Sequence, residues 1–181
     1  MRAEQGFTLL EIVIGLVVTS IVMLIVTDLL GAQAQQSVAP VTQARANILA
    51  QGLQREILSK AFDENSSGHN AGERCSDTVN CTTSANLGPD SGENRSTFDD
   101  VDDYHGYSVI RNSAGQTITQ SGQSLYQGYQ LNVVVFYDEN LDGIDDAAGV
   151  GSYTGNAKLV RVSVLTPNDE TIVFSSYRWN Y

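Results

Sequence analysis

The sequence predicts an α+β protein in which one long N-terminal helix lies across an antiparallel sheet. Three observations predict it. Residues 7–30 are an almost unbroken run of Leu, Ile, Val, Gly, Thr, Ser and Met, with Glu11 near its start and Asp28 near its end. Residues 31–62 keep helical spacing but become amphipathic, and the last third alternates apolar and polar residues between Gly-, Asn- and Asp-rich turns. At 1.5 Å per residue the first run makes roughly 36 Å of helix, enough to cross a bilayer core of about 30 Å.

Composition narrows the function classes. The chain has 181 residues, and its formal charge of −11 comes from 21 acidic residues against 10 Lys and Arg. Such a surface does not track phosphates, so nucleic acid is not an expected partner. His69 and His105 have no Ser or Cys nucleophile in a recognisable arrangement, and no phosphate-cradling Gly-rich loop occurs. An enzyme is not expected.

Glu11 is the unusual residue of the apolar run. An ionised carboxylate in a spanning helix costs several kcal/mol unless it finds a partner, which makes it a functional residue by default. A secretory signal has an apolar core of about 7–15 residues followed by a small-residue cleavage site. Here the core is longer and carries an acid at its head. Ala32-Gln33-Ala34 supplies a site of that kind, leaving Gln35 as first residue, and is the alternative to a cut before the helix, between Gly6 and Phe7.

The order Gly6, Phe7, Thr8, Leu9, Leu10, Glu11 resembles the type IV prepilin family, pseudopilins included. The resemblance implies a leader, residues 1–6, removed after Gly6 by a prepilin peptidase, followed by N-methylation of Phe7. It implies that Glu11 meets the Phe7 amine of a neighbouring pilin subunit, two costly charges becoming tolerable as a pair; an acid that simply snorkels to the interface is the alternative. It also implies a type IV pilin-like fold: a helix embedded in the lipid bilayer over residues 7–30, continuing over 31–62 onto a globular head, 63–181, and often bent at Pro or Gly. Arg2 and the amino terminus favour a cytoplasmic leader and an exported head. Expected partners are other pilin subunits, the prepilin peptidase and the inner-membrane pilus assembly platform, with passage from the inner membrane to a pilus at the cell surface.

Within residues 41–62, Val41, Ala44, Ile48, Leu49, Leu53, Ile57, Ala61 and Phe62 recur at steps of three and four and are expected to cover a sheet, with Pro40 kinking the helix or loosening the turn before it. Residues 63–103 read as a long polar loop. Cys75 and Cys81 lie in it, and in an oxidising compartment they are most simply a disulfide. A zinc site from Cys75, Cys81, His69 and His105 is the alternative, with a cysteine gap wider than the usual spacing. Two acidic clusters, Asp63-Glu64 and Asp99-Asp100-Val101-Asp102-Asp103, are read as a solvated face or as a calcium site that pins the loop.

The strings Lys60-Ala61-Phe62-Asp63-Glu64-Asn65, Leu87-Gly88-Pro89 and Phe98 to Gly106 resemble the minor pilins of the mannose-sensitive haemagglutinin (MSHA) pilus of aquatic bacteria. The lack of a C-terminal disulfide-bounded loop also suggests a minor rather than a major subunit. In residues 104–181, Tyr107–Ile110, Tyr129–Tyr137, Leu159–Leu165 and Thr171–Tyr177 are expected strands, the last two joined by a turn at Pro167-Asn168-Asp169-Glu170. Asp138, Asn140, Asp142, the Ile144 carbonyl and Asp146 follow the first nine places of a calcium loop, with Gly143 for the sharp turn. Gly149 stands at the twelfth place, where an EF-hand needs Glu, so the segment is either a degenerate calcium site or an acidic turn. The expected function is that of a minor type IV pilin that enters or primes a pilus serving adhesion or motility. A type II secretion pseudopilin and a calcium-stabilised tip adhesin are the alternatives.

Overall fold

The computed structural model describes residues 8–66, 74–77, 79–109, 119–120 and 123–181. Gly6, Phe7, His69 and Ile110 lie outside them. The chain forms two compact units, Met1–Val41 and Thr42–Tyr181.

Helix α1 spans Leu9–Leu58 and contains Pro40 within its run. Its first turn is closed by Thr8, whose Oγ1 and carbonyl O accept from the Glu11 amide at 3.3 and 3.1 Å. Thr8 and Glu11 therefore stand at the N-cap and third helical positions, the spacing of a capping box, and the acid sits where the helix dipole favours negative charge. From Leu9 to Asp28 the helix is long and apolar enough to cross a membrane, and none of that stretch is buried by the protein itself. Its hydroxyls are satisfied internally: Thr19 donates to the Gly15 carbonyl at 2.7 Å, Ser20 to Leu16 at 2.8 Å and Thr27 to Met23 at 2.8 Å. A hydroxyl that bonds back to its own helix needs no water, which suits a hydrocarbon solvent.

In the second unit α1 buries Ala46, Leu49, Ala50, Leu53 and Ile57. Val41, Ala44 and Ile48, expected on the buried stripe, are exposed, Ile48 by 60%. They form a neighbouring stripe of the same three-and-four spacing, which periodicity cannot tell from the buried one. The helix also ends four residues earlier than expected. After Leu58 the chain turns, and Ala61 pairs with the segment around Asp100: its amide donates to the Asp99 carbonyl at 3.1 Å and its carbonyl accepts from Val101 at 3.0 Å.

The sheet is antiparallel, in the order β1-β4-β5-β6, from β1 (Ser108–Val109), β4 (Gln130–Tyr137), β5 (Ala157–Leu165) and β6 (Thr171–Trp179). A separate hairpin pairs β2 (Thr119–Gln120) with β3 (Gln123–Ser124). Strand alternation sends Leu131, Val133 and Val135 of β4 and Val160, Val162 and Val164 of β5 into the core with the buried face of α1, joined by Phe98, Val101, Tyr104 and Tyr129. The turn between β5 and β6 closes with the Thr166 amide on the Glu170 carbonyl at 2.9 Å, and Asp169 takes φ +59° there.

The segment 63–103 departs from a loose polar loop. Its described residues carry little regular structure, yet they are pinned at several points. Arg95 bridges both carboxylate oxygens of Glu56 and lies over the Tyr104 and Tyr107 rings at 5.1 and 5.2 Å. Tyr104 donates its hydroxyl to the same Glu56 at 2.8 Å. Burial opposes ionisation of Glu56, but Arg95 and Tyr104 outweigh it and hold the carboxyl below its usual range.

Candidate functional site

Three groups of residues carry chemistry. The first is the N-terminal segment around Glu11, which offers a carboxylate at the head of a solvent-facing apolar helix. Among the described residues, the chain's own core does not cover it.

The second group is the loop between β4 and β5. Asp138 accepts from the amides of Asp142 at 3.0 Å and Gly143 at 2.8 Å and from the Tyr177 hydroxyl at 2.6 Å. Burial works against its charge, but these donors hold its carboxyl below the usual range, and the same bond pushes the Tyr177 phenol up to about 12. Asn140 Oδ1 accepts from Asp142, Asp142 Oδ1 from Ile144, and Asp146 Oδ2 from Glu139 at 2.7 Å. Gly143 adopts φ +79°, which a side chain would strain, so the sharp turn read from the sequence is present. The carbonyl of Gly143 is taken by Arg161, whose guanidinium donates at 2.7 Å while lying 5.0 Å from the Phe136 ring. The loop is thus closed by its own amides and one strand cation.

The third group was not legible as a site. Lys158 is completely buried, and its ammonium donates to the Phe62 carbonyl at 2.8 Å, to Asp63 Oδ2 at 3.0 Å and to Asp102 Oδ1 at 2.5 Å. Asp63, Asp100, Asp102 and Asp103 are all buried as well. The solvated acidic face expected for these residues is therefore wrong for four of them. Burial, then the charges of Asp102 and Asp103, push the Asp100 carboxyl up to about 9, and burial also raises Asp102 against the pull of Lys158. Asp63 is ordered further by the Thr82 amide at 2.9 Å and hydroxyl at 3.2 Å. One signal existed. Lys158 shares its strand face with Val160, Val162 and Val164, and a lysine on the inward parity of a core strand needs an acid.

The exposed rim of this cluster is crowded with like charge. Glu93, Asp99 and Asp103 bring one carboxylate oxygen each within 4.8 Å of one another. Partial burial and the neighbouring Asp99, Asp90 and Glu93 push the Glu64 carboxyl up to about 7.

Cys75 and Cys81 form the expected disulfide. They are buried with Phe62 and Tyr137, and Asn180 donates to the Cys75 carbonyl at 3.0 Å, tying the C-terminal segment to the bridge. This overturns the zinc alternative, since neither sulfur is a thiolate. Its other described member, His105, is instead placed against β4, with Nδ1 2.7 Å from the Val135 carbonyl O.

Residues 1–27 match the prokaryotic N-terminal methylation motif. The match covers the stretch with Gly6, Phe7 and Glu11, and supports a type IV pilin or pseudopilin, a structural protein held in a membrane by one apolar helix. The long helix followed by a four-stranded antiparallel sheet agrees with the type IV pilin fold. No curated protein and no solved structure matches the chain.

Proposed function

We propose that this chain is a minor type IV pilin of the MSHA kind, similar to MshD, inserted in the inner membrane with its N-terminus cytoplasmic and its head periplasmic. Prepilin peptidase cuts after Gly6, the Phe7 amine is methylated, and the assembly platform moves the subunit into a filament with other pilins. The observation that carries this reading is the methylation motif at residues 1–27, which takes in nearly all of an apolar helix, Leu9–Asp28, that the protein leaves unburied. The MSHA assignment rests on the strings at 60–65, 87–89 and 98–106.

Glu11 is the assembly residue of this reading. Its amide is already capped by Thr8, so truncating the carboxylate costs the isolated helix only about 1 kcal/mol. Removing a charge-pair partner from an apolar interface costs about 3–5 kcal/mol. Glu11→Ala is therefore expected to leave membrane insertion and cleavage intact and to reduce incorporation into filaments strongly; normal incorporation sinks the pairing role.

Mass spectrometry of the mature N-terminus tests the processing: methylated Phe7 is expected, and Gln35 overturns the whole reading. Deletion separates the finer alternatives, since a minor pilin's loss changes piliation, a tip adhesin's loss leaves pili that do not adhere, and a pseudopilin's loss blocks protein export.

A further inference from the structure

Lys158 and Asp102 hold an amine and a carboxyl group in contact inside the core. The lysine is 0% exposed and its Nζ stands 2.5 Å from Asp102 Oδ1 and 3.0 Å from Asp63 Oδ2. The Phe62 and Tyr137 rings lie over it at 4.5 and 5.4 Å, walling the pair from water. Asp100, 2% exposed, lies two positions from Asp102, close enough for the two carboxyls to shift one another. We propose that Lys158 and Asp102 condense within the folded chain to an isopeptide bond, with Asp63 taking the proton from the amine and Asp100 supplying one to the Asp102 carboxyl.

Solvent decides which species is favoured. In water, hydration keeps an ammonium and a carboxylate apart as ions. In a dry site each ion loses several kcal/mol of solvation, and condensation removes both charges while releasing a water molecule. Holding the two groups in contact replaces a bimolecular encounter, and well-oriented intramolecular reactions reach effective molarities of about 10⁵ M or more. The chain's other lysine provides the contrast: Lys60 Nζ donates to the Phe98 carbonyl, and among the described residues it forms no ion pair with a carboxylate.

Every proton in the step has a place. Asp63 Oδ2 accepts one proton from the Lys158 ammonium, and the freed amine attacks Cγ of Asp102. Asp100, whose carboxyl is pushed up to about 9 by burial and the adjacent acids, holds a proton at neutral pH and passes it to the Asp102 oxygen. The tetrahedral centre returns the second amine proton to Asp100. Asp63 then protonates one hydroxyl, which leaves as water. The balance is one ammonium and one carboxylate converted to one amide and one water, with Asp63 and Asp100 restored. The product would tie the turn at Asp102–Tyr104 covalently to β5, so the polar segment could not peel from the sheet under tension.

The test uses the full chain extracted in detergent, reduced, and digested with trypsin. Cleavage after Lys158 is expected to be missing, and a branched peptide should appear in which 96–111 is joined through Asp102 to Lys158 of 112–161, lighter than the two together by one water. Lys158→Arg should abolish the branch. Asp100→Asn should slow its formation by about 10²-fold after pulse-labelled synthesis. Wild-type protein that is cut after Lys158 and yields an unbranched 96–111 peptide overturns the bond. A branch that forms at the wild-type rate in Asp100→Asn overturns the role given to Asp100.

Discussion

Two acidic segments of this chain, Asp99–Asp103 and Asp138–Asp146, look alike in sequence and differ in how their charge is balanced. The second closes on itself: Asp138 collects the amides of Asp142 and Gly143, residues four and five positions away, and stays charged. The first has three of its four aspartates buried: Asp103 accepts from the amides of Asp99 and Asp100, and Asp100 from that of Asp103, while Asp102 pairs with Lys158, 56 residues farther along the chain. A local loop can satisfy carboxylates with its own backbone. A buried cluster of several acids uses its own amides too, but like charges packed together also need a cation from elsewhere in the fold or a shared proton.

The comparison breaks most sharply at Lys158. Lys158→Met leaves Asp63 and Asp102 buried with neither the ammonium nor the bond formed from it, and is expected to cost the head about 3–5 kcal/mol, read by denaturant unfolding of the detergent-solubilised chain. Asp138→Ala is expected to cost about 1–3 kcal/mol, because the Gly143 amide and the Tyr177 hydroxyl lose an acceptor while the sheet register remains. Equal losses in the two variants would erase the distinction between distant and local neutralisation. Gly143→Ala, which forces a side chain onto φ +79°, should cost about 1 kcal/mol and disturb only the second loop, visible as amide shifts confined to 138–146.

The pH dependence of the two segments should carry opposite signs. Glu64, beside the first cluster, has a folded value raised from 4.5 to about 7, so its contribution to stability is complete below 4.5 and is lost as pH rises through about 7. Asp138 has a lowered folded value, so its contribution is present above 3.8 and is lost as pH falls through the depressed value. Glu64→Gln should flatten the near-neutral side of a melting-temperature profile and leave the acid side unchanged, while Asp138→Asn should do the reverse. The effect of Glu64 is the smallest expected, since that side chain is largely exposed and screened by solvent.

Much of the architecture was legible because it rests on local rules. An unbroken apolar run is helical in any apolar solvent, and the valine run at 133–135 and the alternating valines at 160, 162 and 164 declare strands whichever partner they meet. The turn at Gly143 and the cysteine pair were readable for the same reason, since each depends on a few neighbouring residues. The methylation motif is equally contiguous.

What sequence by itself determined here is therefore the anchor helix, the sheet and the processing motif, because periodicity and short-range spacing specify them. Only the tertiary structure decided which of two equivalent stripes on α1 faces the core, where the helix stops, and that Asp63, Asp100, Asp102 and Asp103 go inward. Those outcomes depend on pairs far apart in the chain, Ala61 with Asp99 and Val101, and Lys158 with Asp63 and Asp102. A carboxylate's sequence neighbours cannot say whether water or a distant ammonium will compensate its charge; the dielectric around it exists only once the chain has folded.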